Sequence, residues 1–231
     1  MGISSRPYAV GPAAGQIERT GAERATLVRR TYLLVLAGVL VTMGGVAFAF
    51  TQPALMAAVA RHPFISMIAV FAPLLAAQAL RDRFPANIGL VLLFTFAQGV
   101  FMAPLMAVLE ARQPGVTLQA GVLTGSTFGV LTAYAWLSRR DFSAWGGFLI
   151  TGVWVLLGTS LLNYFVFKSS TGELWIASIG TLIFSGLLVF DTWRLRNVYG
   201  PDDYVPAAVN IYLDLLNLFL FILRLLGGRR D

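Results

Sequence analysis

The amino-acid sequence predicts an all-α polytopic membrane protein with seven transmembrane helices, and three observations carry that prediction. Of the 231 residues, 57% are hydrophobic and only 12% are charged, whereas soluble domains carry about twice that charged share. The apolar residues come in runs of about 20, the length at which a helix crosses the hydrocarbon core of a bilayer. The charges fall between the runs. A single globular core of this size has no room for so much apolar surface, so lipid is the solvent that the composition selects.

The elements follow in chain order. Residues 1–30 read as a cytoplasmic N-terminal tail, partly disordered, holding Arg6, Arg19, Arg24, Arg29 and Arg30 among prolines and glycines, with a helical tendency over Gln16–Arg29. No apolar stretch of signal-peptide length precedes Thr31, so the first run is expected to be an uncleaved anchor. Residues 31–227 form the transmembrane domain. Its spans are expected at Thr31–Thr51, His62–Leu80, Asn87–Leu109, Thr117–Leu137, Trp145–Phe167, Leu174–Trp193 and Pro206–Leu226. The separators hold most of the charge: Gln52–Arg61, Arg81–Arg83, Glu110–Gly115, Ser138–Asp141, Lys168–Glu173 and Arg194–Val205. Connections this short set neighbouring helices antiparallel in one bundle. Residues 228–231 are a short C-terminal tail.

Orientation follows from the arginines and the one lysine, because cytoplasmic loops collect them. The tail, Arg81 and Arg83, Arg139 and Arg140, and Arg194 and Arg196 lie on one side; Arg61, Arg112 and Lys168 lie on the other. The N-terminus is therefore expected in the cytoplasm, with the inner membrane of a bacterium as the expected location. Arg224, Arg229 and Arg230 dissent, since an odd number of spans puts them outside. Either the last helix crosses against its local charges or it re-enters; crossing is favoured because the first helices usually dominate topology.

Several functions are excluded by absence. There is no cysteine, hence no disulfide, thiolate metal site or cysteine nucleophile, and His62 is the only histidine. The net charge of +6 is spread in ones and twos between apolar runs, a topology signal and not a nucleic-acid surface. An intramembrane serine protease needs a histidine deep in a span, and His62 is at an edge. A retinal protein needs a lysine in its last span, and Lys168 is in a loop. Enzymatic activity is not expected, and no cofactor is implied.

Gly121, Gly125 and Gly129 recur every four residues in the fourth span and are expected to let another helix approach closely. Thr95, Gln98, Ser160 and Asn163 are expected to hydrogen-bond between helices.

Two acids stand inside apolar runs. Asp191 lies near the end of the sixth span and Asp214 about two turns into the seventh. A carboxylate there costs about 2.5–3.5 kcal/mol on insertion scales, so it faces the bundle interior and has partners. Asn210, Asp214 and Asn217 fall on one stripe of the seventh helix, which is therefore expected to be central. The depths of Asp191 and Asp214 allow them to meet, and Arg81 and Arg83 lie on the same side to offset their burial. Two carboxylates in a low-dielectric site cannot both ionise cheaply and titrate as a coupled pair. Such a pair is a pH-sensitive element and an oxygen-rich place for a hard cation such as Ca²⁺; it also serves as a plain structural tie. An aspartyl intramembrane protease has two such acids, but its Tyr-Asp and Gly-x-Gly-Asp motifs are missing: Phe190 precedes Asp191 and Leu213 precedes Asp214.

The run from Asn210 to Gly227, the segment Phe184–Arg194 and, more weakly, Leu93–Gly99 resemble the characteristic segments of the Bax-inhibitor, or transmembrane Bax-inhibitor-motif, family over about Arg30–Gly227. The resemblance implies six helices around a central seventh. It implies a pH-dependent calcium leak controlled by Asp191 and Asp214, with Arg83, or Arg81 in its place, as the latch. It also implies links to restraint of cell death, or in bacteria to modulation of a membrane-bound protease by a protein that need not conduct. Trp193 stands where the family commonly has an amide, Phe190 where it often has tyrosine, and Asp82 sits between the two arginines.

Overall fold

A computed structural model of the chain describes residues 21–80 and 83–228. Its helices are α1 (Gly21–Phe50), α2 (Pro53–Arg61), α3 (Pro63–Ala79), α4 (Ala86–Arg112), α5 (Val116–Leu137), α6 (Trp145–Leu162), α7 (Ser170–Asn197) and α8 (Tyr204–Gly227), with a π-helical turn at Asn163–Phe167. No strand occurs among the described residues.

Six of these helices are long and apolar enough to cross a membrane alone, and a seventh crossing arises only if α2 and α3 count as one span. The expected second span corresponds to α3, which is only 17 residues long and contains Pro73. It is joined to α2 at an angle of 105°. The break has a local cause. His62 precedes Pro63, whose ring disfavours the α conformation in the residue before it, and His62 sits at φ −125°, ψ 59°. The count is therefore six or seven.

Residues 21–30 of the expected tail are helical and belong to α1. The rest of the tail, Arg81, Asp82, Arg229 and Arg230 lie outside the described residues. The fifth span ends early as an α-helix. Asn163 ties the π turn by donating from Nδ2 to the Ser169 carbonyl (3.1 Å) and accepting from the Ser169 amide (3.2 Å). Helix α8 runs unbroken over 24 residues and is apolar enough to cross in one piece, which leaves no re-entrant turn before Gly227.

The bundle is organised on α1, α4 and α8. Helix α8 is the most buried span and packs against α1, α4, α5 and α7. On α1, the small residues Gly38, Thr42, Gly45 and Ala49 recur every three or four positions and are all buried. That stripe brings α1 close to the backbone of α4. A Cβ at Gly45 would overlap the Phe96 carbonyl oxygen, and one at Gly99 would overlap that of Thr42. The glycines of α5 do not act this way. A Cβ added at Gly121, Gly125 or Gly129 would meet no atom within 4 Å, so the expected close approach there is corrected: that face is open.

The expected interhelical hydrogen bonds are also redistributed. Thr95 Oγ1 donates to Leu92 O (2.9 Å) and Ser160 Oγ to Leu156 O (2.7 Å), both within their own helices. The Asn163 side chain bonds to Ser169 within the same turn, and among the described residues Gln98 Oε1 is buried without a partner. Thr42 joins three helices: it shares a 2.7 Å hydrogen bond with Tyr212 Oη and contacts the carbonyls of Gly38 (2.8 Å) and Thr95 (3.0 Å). A threonine hydroxyl satisfies its donor on its own helix at i−4 and still has lone pairs to offer across an interface.

Candidate functional site

The α7–α8 interface brings the two intramembrane acids together. Asp191 is 6% exposed and Asp214 5% exposed, and the two carboxyl groups lie close enough to act on each other's charge. The register follows from antiparallel packing. Phe184 stacks on Phe221 at 5.6 Å between ring centroids, and seven residues further along each helix, in opposite directions, stand Asp191 and Asp214. Gly180 makes room for Phe221, since a Cβ there would come within 2.7 Å of its ring.

The guanidinium at the site belongs to Arg194. Its Nη1 donates to Asp191 Oδ1 at 2.8 Å. Arg194 lies one turn after Asp191 on the same helix, so the pair forms within one element and needs no loop to close. Sequence reasoning assigned this arginine to topology and missed it as a site residue; the three-residue spacing from Asp191 was the available signal. Arg83, the expected latch, is instead exposed in the turn between α3 and α4, and among the described residues its guanidinium meets neither carboxylate. Arg81, its substitute, lies outside the described residues. Arg196, also read as topology, donates from Nη1 to the carbonyls of Ala135, Trp136 and Ser138 and so caps the end of α5.

An aromatic cradle fixes Arg194. Its guanidinium carbon lies 4.7 Å from the Tyr199 ring centroid and 5.6 Å from that of Phe190. Phe190 in turn stacks on Trp193 at 6.1 Å. Both residues that depart from the family pattern thus belong to the cradle. Tyr199 Oη accepts from Asn210 Nδ2 at 2.7 Å, which links the α7–α8 turn to the polar stripe of α8. Burial, and next the Asp191 carboxylate, push the Tyr199 phenol above its ordinary range. Asn217, the last member of that stripe, does not reach the acids: its Nδ2 bonds back to Leu213 O at 2.8 Å.

Two features define what the site can do. Among the described residues Asp214 Oδ2 is buried with no hydrogen-bond partner, unusual for a buried polar atom. Among the described residues no third Asp, Glu or His joins the pair in a group fit to hold a metal. The cluster thus holds two carboxyl groups and one cation, a set that carries no net charge when one acid is protonated.

The family described as inhibitor of apoptosis-promoting Bax1 matches residues 24–231. Bax inhibitor 1 of Schizosaccharomyces pombe is 32% identical over 213 residues, covering 88% of this chain and 77% of its own. Protein lifeguard 4 of Mus musculus is 36% identical over 209 residues, covering 88% and 85%. A bacterial relative, described as an uncharacterized membrane protein of Vibrio cholerae, is 38% identical over 144 residues, covering 60% and 63%. With a family match running from α1 to the end of the chain and two relatives spanning most of its length, the chain belongs to the Bax-inhibitor family of membrane proteins.

Proposed function

We propose that this protein is a pH-sensitive cation leak of the membrane, with calcium as the ion, in which Asp191 and Asp214 form the proton switch and Arg194 holds it. The observation that carries this reading is Oδ2 of Asp214, unpartnered among the described residues, beside a carboxyl group that already binds an arginine. Ionised Asp191 and Arg194 neutralise each other. A second carboxylate in the same buried site has no cation left to pair with, and an unpaired buried charge is costly. One proton held between the acids removes that charge. Losing it adds repulsion across the α7–α8 interface, which packs the most buried helix of the bundle.

The pair suits proton sensing better than ion binding. Calcium takes about six to eight oxygen ligands, while here one carboxylate is occupied by Arg194 and no third acid is near among the described residues. Calcium is therefore the permeating ion in this reading, not a resident one. The surrounding lipid bilayer is the only partner it requires. The N-terminus is read as cytoplasmic and the membrane as the bacterial inner membrane, on the arginine asymmetry and the Vibrio relative.

Calcium flux into liposomes, followed between pH 5 and pH 8, tests the proposal. Asp191→Asn and Asp214→Asn are each expected to flatten the pH response; flux and pH response unchanged in both variants would contradict it. A second reading, a non-conducting partner of a membrane-bound protease or a cell-death pathway, draws on the family description and on the exposed Trp145, Trp154 and Trp175. It expects no flux at any pH and co-purification of a membrane protein that is lost when residues 1–20 are removed.

A further inference from the structure

Helices α1 and α5 are joined toward the N-terminal end of α1. There Tyr32 meets Phe128 edge-on at 6.3 Å between ring centroids, and its hydroxyl accepts from Trp136 Nε1 at 3.4 Å. Beyond that contact a groove of about 770 Å³ opens between the two helices, floored by Tyr212, Leu215, Leu216 and Phe219 of α8. Its lining is almost wholly apolar, and its rims are the exposed Met43 and Phe50 of α1 and Leu118 and Val122 of α5. The α1 wall runs from Val39 to Phe50, about 16 Å at 1.5 Å per residue. Half of a hydrocarbon core about 30 Å thick is nearly the same length. The groove therefore spans one leaflet, the one away from the N-terminus of α1. It faces lipid along its side and has a blind end at the level where Tyr32 and Phe128 close the helices together.

The chemistry of the walls says what fills it. Water needs several polar partners to settle in such a space, and bare apolar walls forfeit their dispersion contacts. The glycines of α5 give the groove its width: a Cβ at Gly121 or Gly125 would meet no atom within 4 Å. Their missing side chains thus serve no contact inside the protein. An acyl chain is the apolar group that enters from one leaflet and ends at the bilayer centre, as the groove does. The far end selects the head that such a chain carries. Glu110 stands there, its Oε1 accepting from the Gly115 amide and its Oε2 from the Thr117 amide. The two amides fix the carboxylate in place and leave each oxygen a lone pair. A free fatty acid would set its own carboxylate against Glu110, and an anionic phospholipid its net negative charge. An ammonium head complements it.

We propose that this groove is a lipid site: it seats one acyl chain of phosphatidylethanolamine, with the chain end toward the Tyr32–Phe128 contact and the ammonium beside Glu110. The site stands apart from the conduction reading and holds whether or not the protein conducts. Its occupant lies against Tyr212 and Leu216, both buried from the rest of the surface, and so touches the most buried span of the bundle. It does not touch the acids. Tyr212 and Asp214 are two residues apart on α8 and face in nearly opposite directions.

Photo-cross-linking of the full-length protein in vesicles of phosphatidylethanolamine and phosphatidylglycerol tests the site. The probe is a phosphatidylethanolamine with a diazirine near the end of one acyl chain, and the adducts are mapped by mass spectrometry. Adducts on Tyr212–Phe219 of α8 are expected to exceed those on the exposed Phe148 and Trp154 of α6, which meet bulk lipid. Gly121→Leu combined with Gly125→Leu fills the groove and is expected to abolish the α8 adducts while the α6 adducts stay. Both positions are open, so the variant should fold, which monodispersity in detergent checks. Competition on the wild type keeps the test decisive if it does not. Unlabelled phosphatidylethanolamine is expected to remove the α8 adducts at concentrations where phosphatidylglycerol and a free fatty acid do not. Adducts on α8 no denser than on α6 overturn the proposal, because a partner helix or a second copy seated in the groove would shield α8. So do α8 adducts that persist in the folded double variant, or equal competition by the three lipids.

Discussion

Alanine at Gly99 is expected to cost about 3 kcal/mol or more of bundle stability, the upper range of overpacking penalties, whereas alanine at Gly125 should stay within about 0.5 kcal/mol of wild type. The contrast comes from what each new methyl group meets. At Gly99 it overlaps the Thr42 carbonyl oxygen, and at Gly45 that of Phe96. Backbone cannot rotate aside as a side chain does, so α1 and α4 must separate. Separation also pulls Thr42 from Tyr212 and from the Thr95 carbonyl, so the damage spreads to α8. At Gly125 the methyl group enters open space, and alanine is the better helix former. Thermal unfolding of the detergent-solubilised protein reads both. Equal losses at Gly99 and Gly125 would show that α5, not α1, makes the close contact.

Replacing Arg194 is the second large effect. Arg194→Gln removes the guanidinium 2.8 Å from Asp191 Oδ1 and leaves two buried carboxyls with no cation. Removing a neighbouring opposite charge makes ionisation harder, so the pair keeps its proton to a higher pH. The pH at which the leak responds should therefore move upward by about one unit or more. Arg83→Gln, at an exposed position without contact to the acids, should leave the response where it is. A shift on replacing Arg83 and none on replacing Arg194 would return the latch to the α3–α4 turn.

Much of the fold was legible because the bilayer imposes a length. The expected span Asn87–Leu109 lies inside α4, Ala86–Arg112, and Leu174–Trp193 lies inside α7, Ser170–Asn197. The ends were underestimated because a helix continues beyond the hydrocarbon as long as its backbone bonds are satisfied, and hydropathy registers only the part in lipid. The break between α2 and α3 was signalled by Pro63 after His62, a local clash that apolar content does not show.

The site divides along a similar line. Asp191 and Asp214 stood out because intramembrane acids are rare and must find partners. Arg194 did not, because a charge at the end of a span serves equally well as a topology signal, and only the folded helix turns it back toward Asp191. The glycines show the complementary failure. Gly121, Gly125 and Gly129 form the more regular stripe, but regular spacing says only that a helix can be approached. Gly38, Thr42 and Gly45 carried the same spacing in α1, and which stripe is used depends on which helix lies opposite.

In the proposed function, Asp191 and Asp214 hold one proton whose release changes calcium flux. Infrared difference spectroscopy of the reconstituted protein, titrated between pH 5 and pH 8, measures that proton through the carbonyl stretch of a protonated carboxyl group. The predicted result is a band that disappears over the same pH interval in which calcium flux changes, and that is absent from the Asp191→Asn, Asp214→Asn double variant. A band that survives in the double variant, or one that titrates where the flux does not respond, would contradict it.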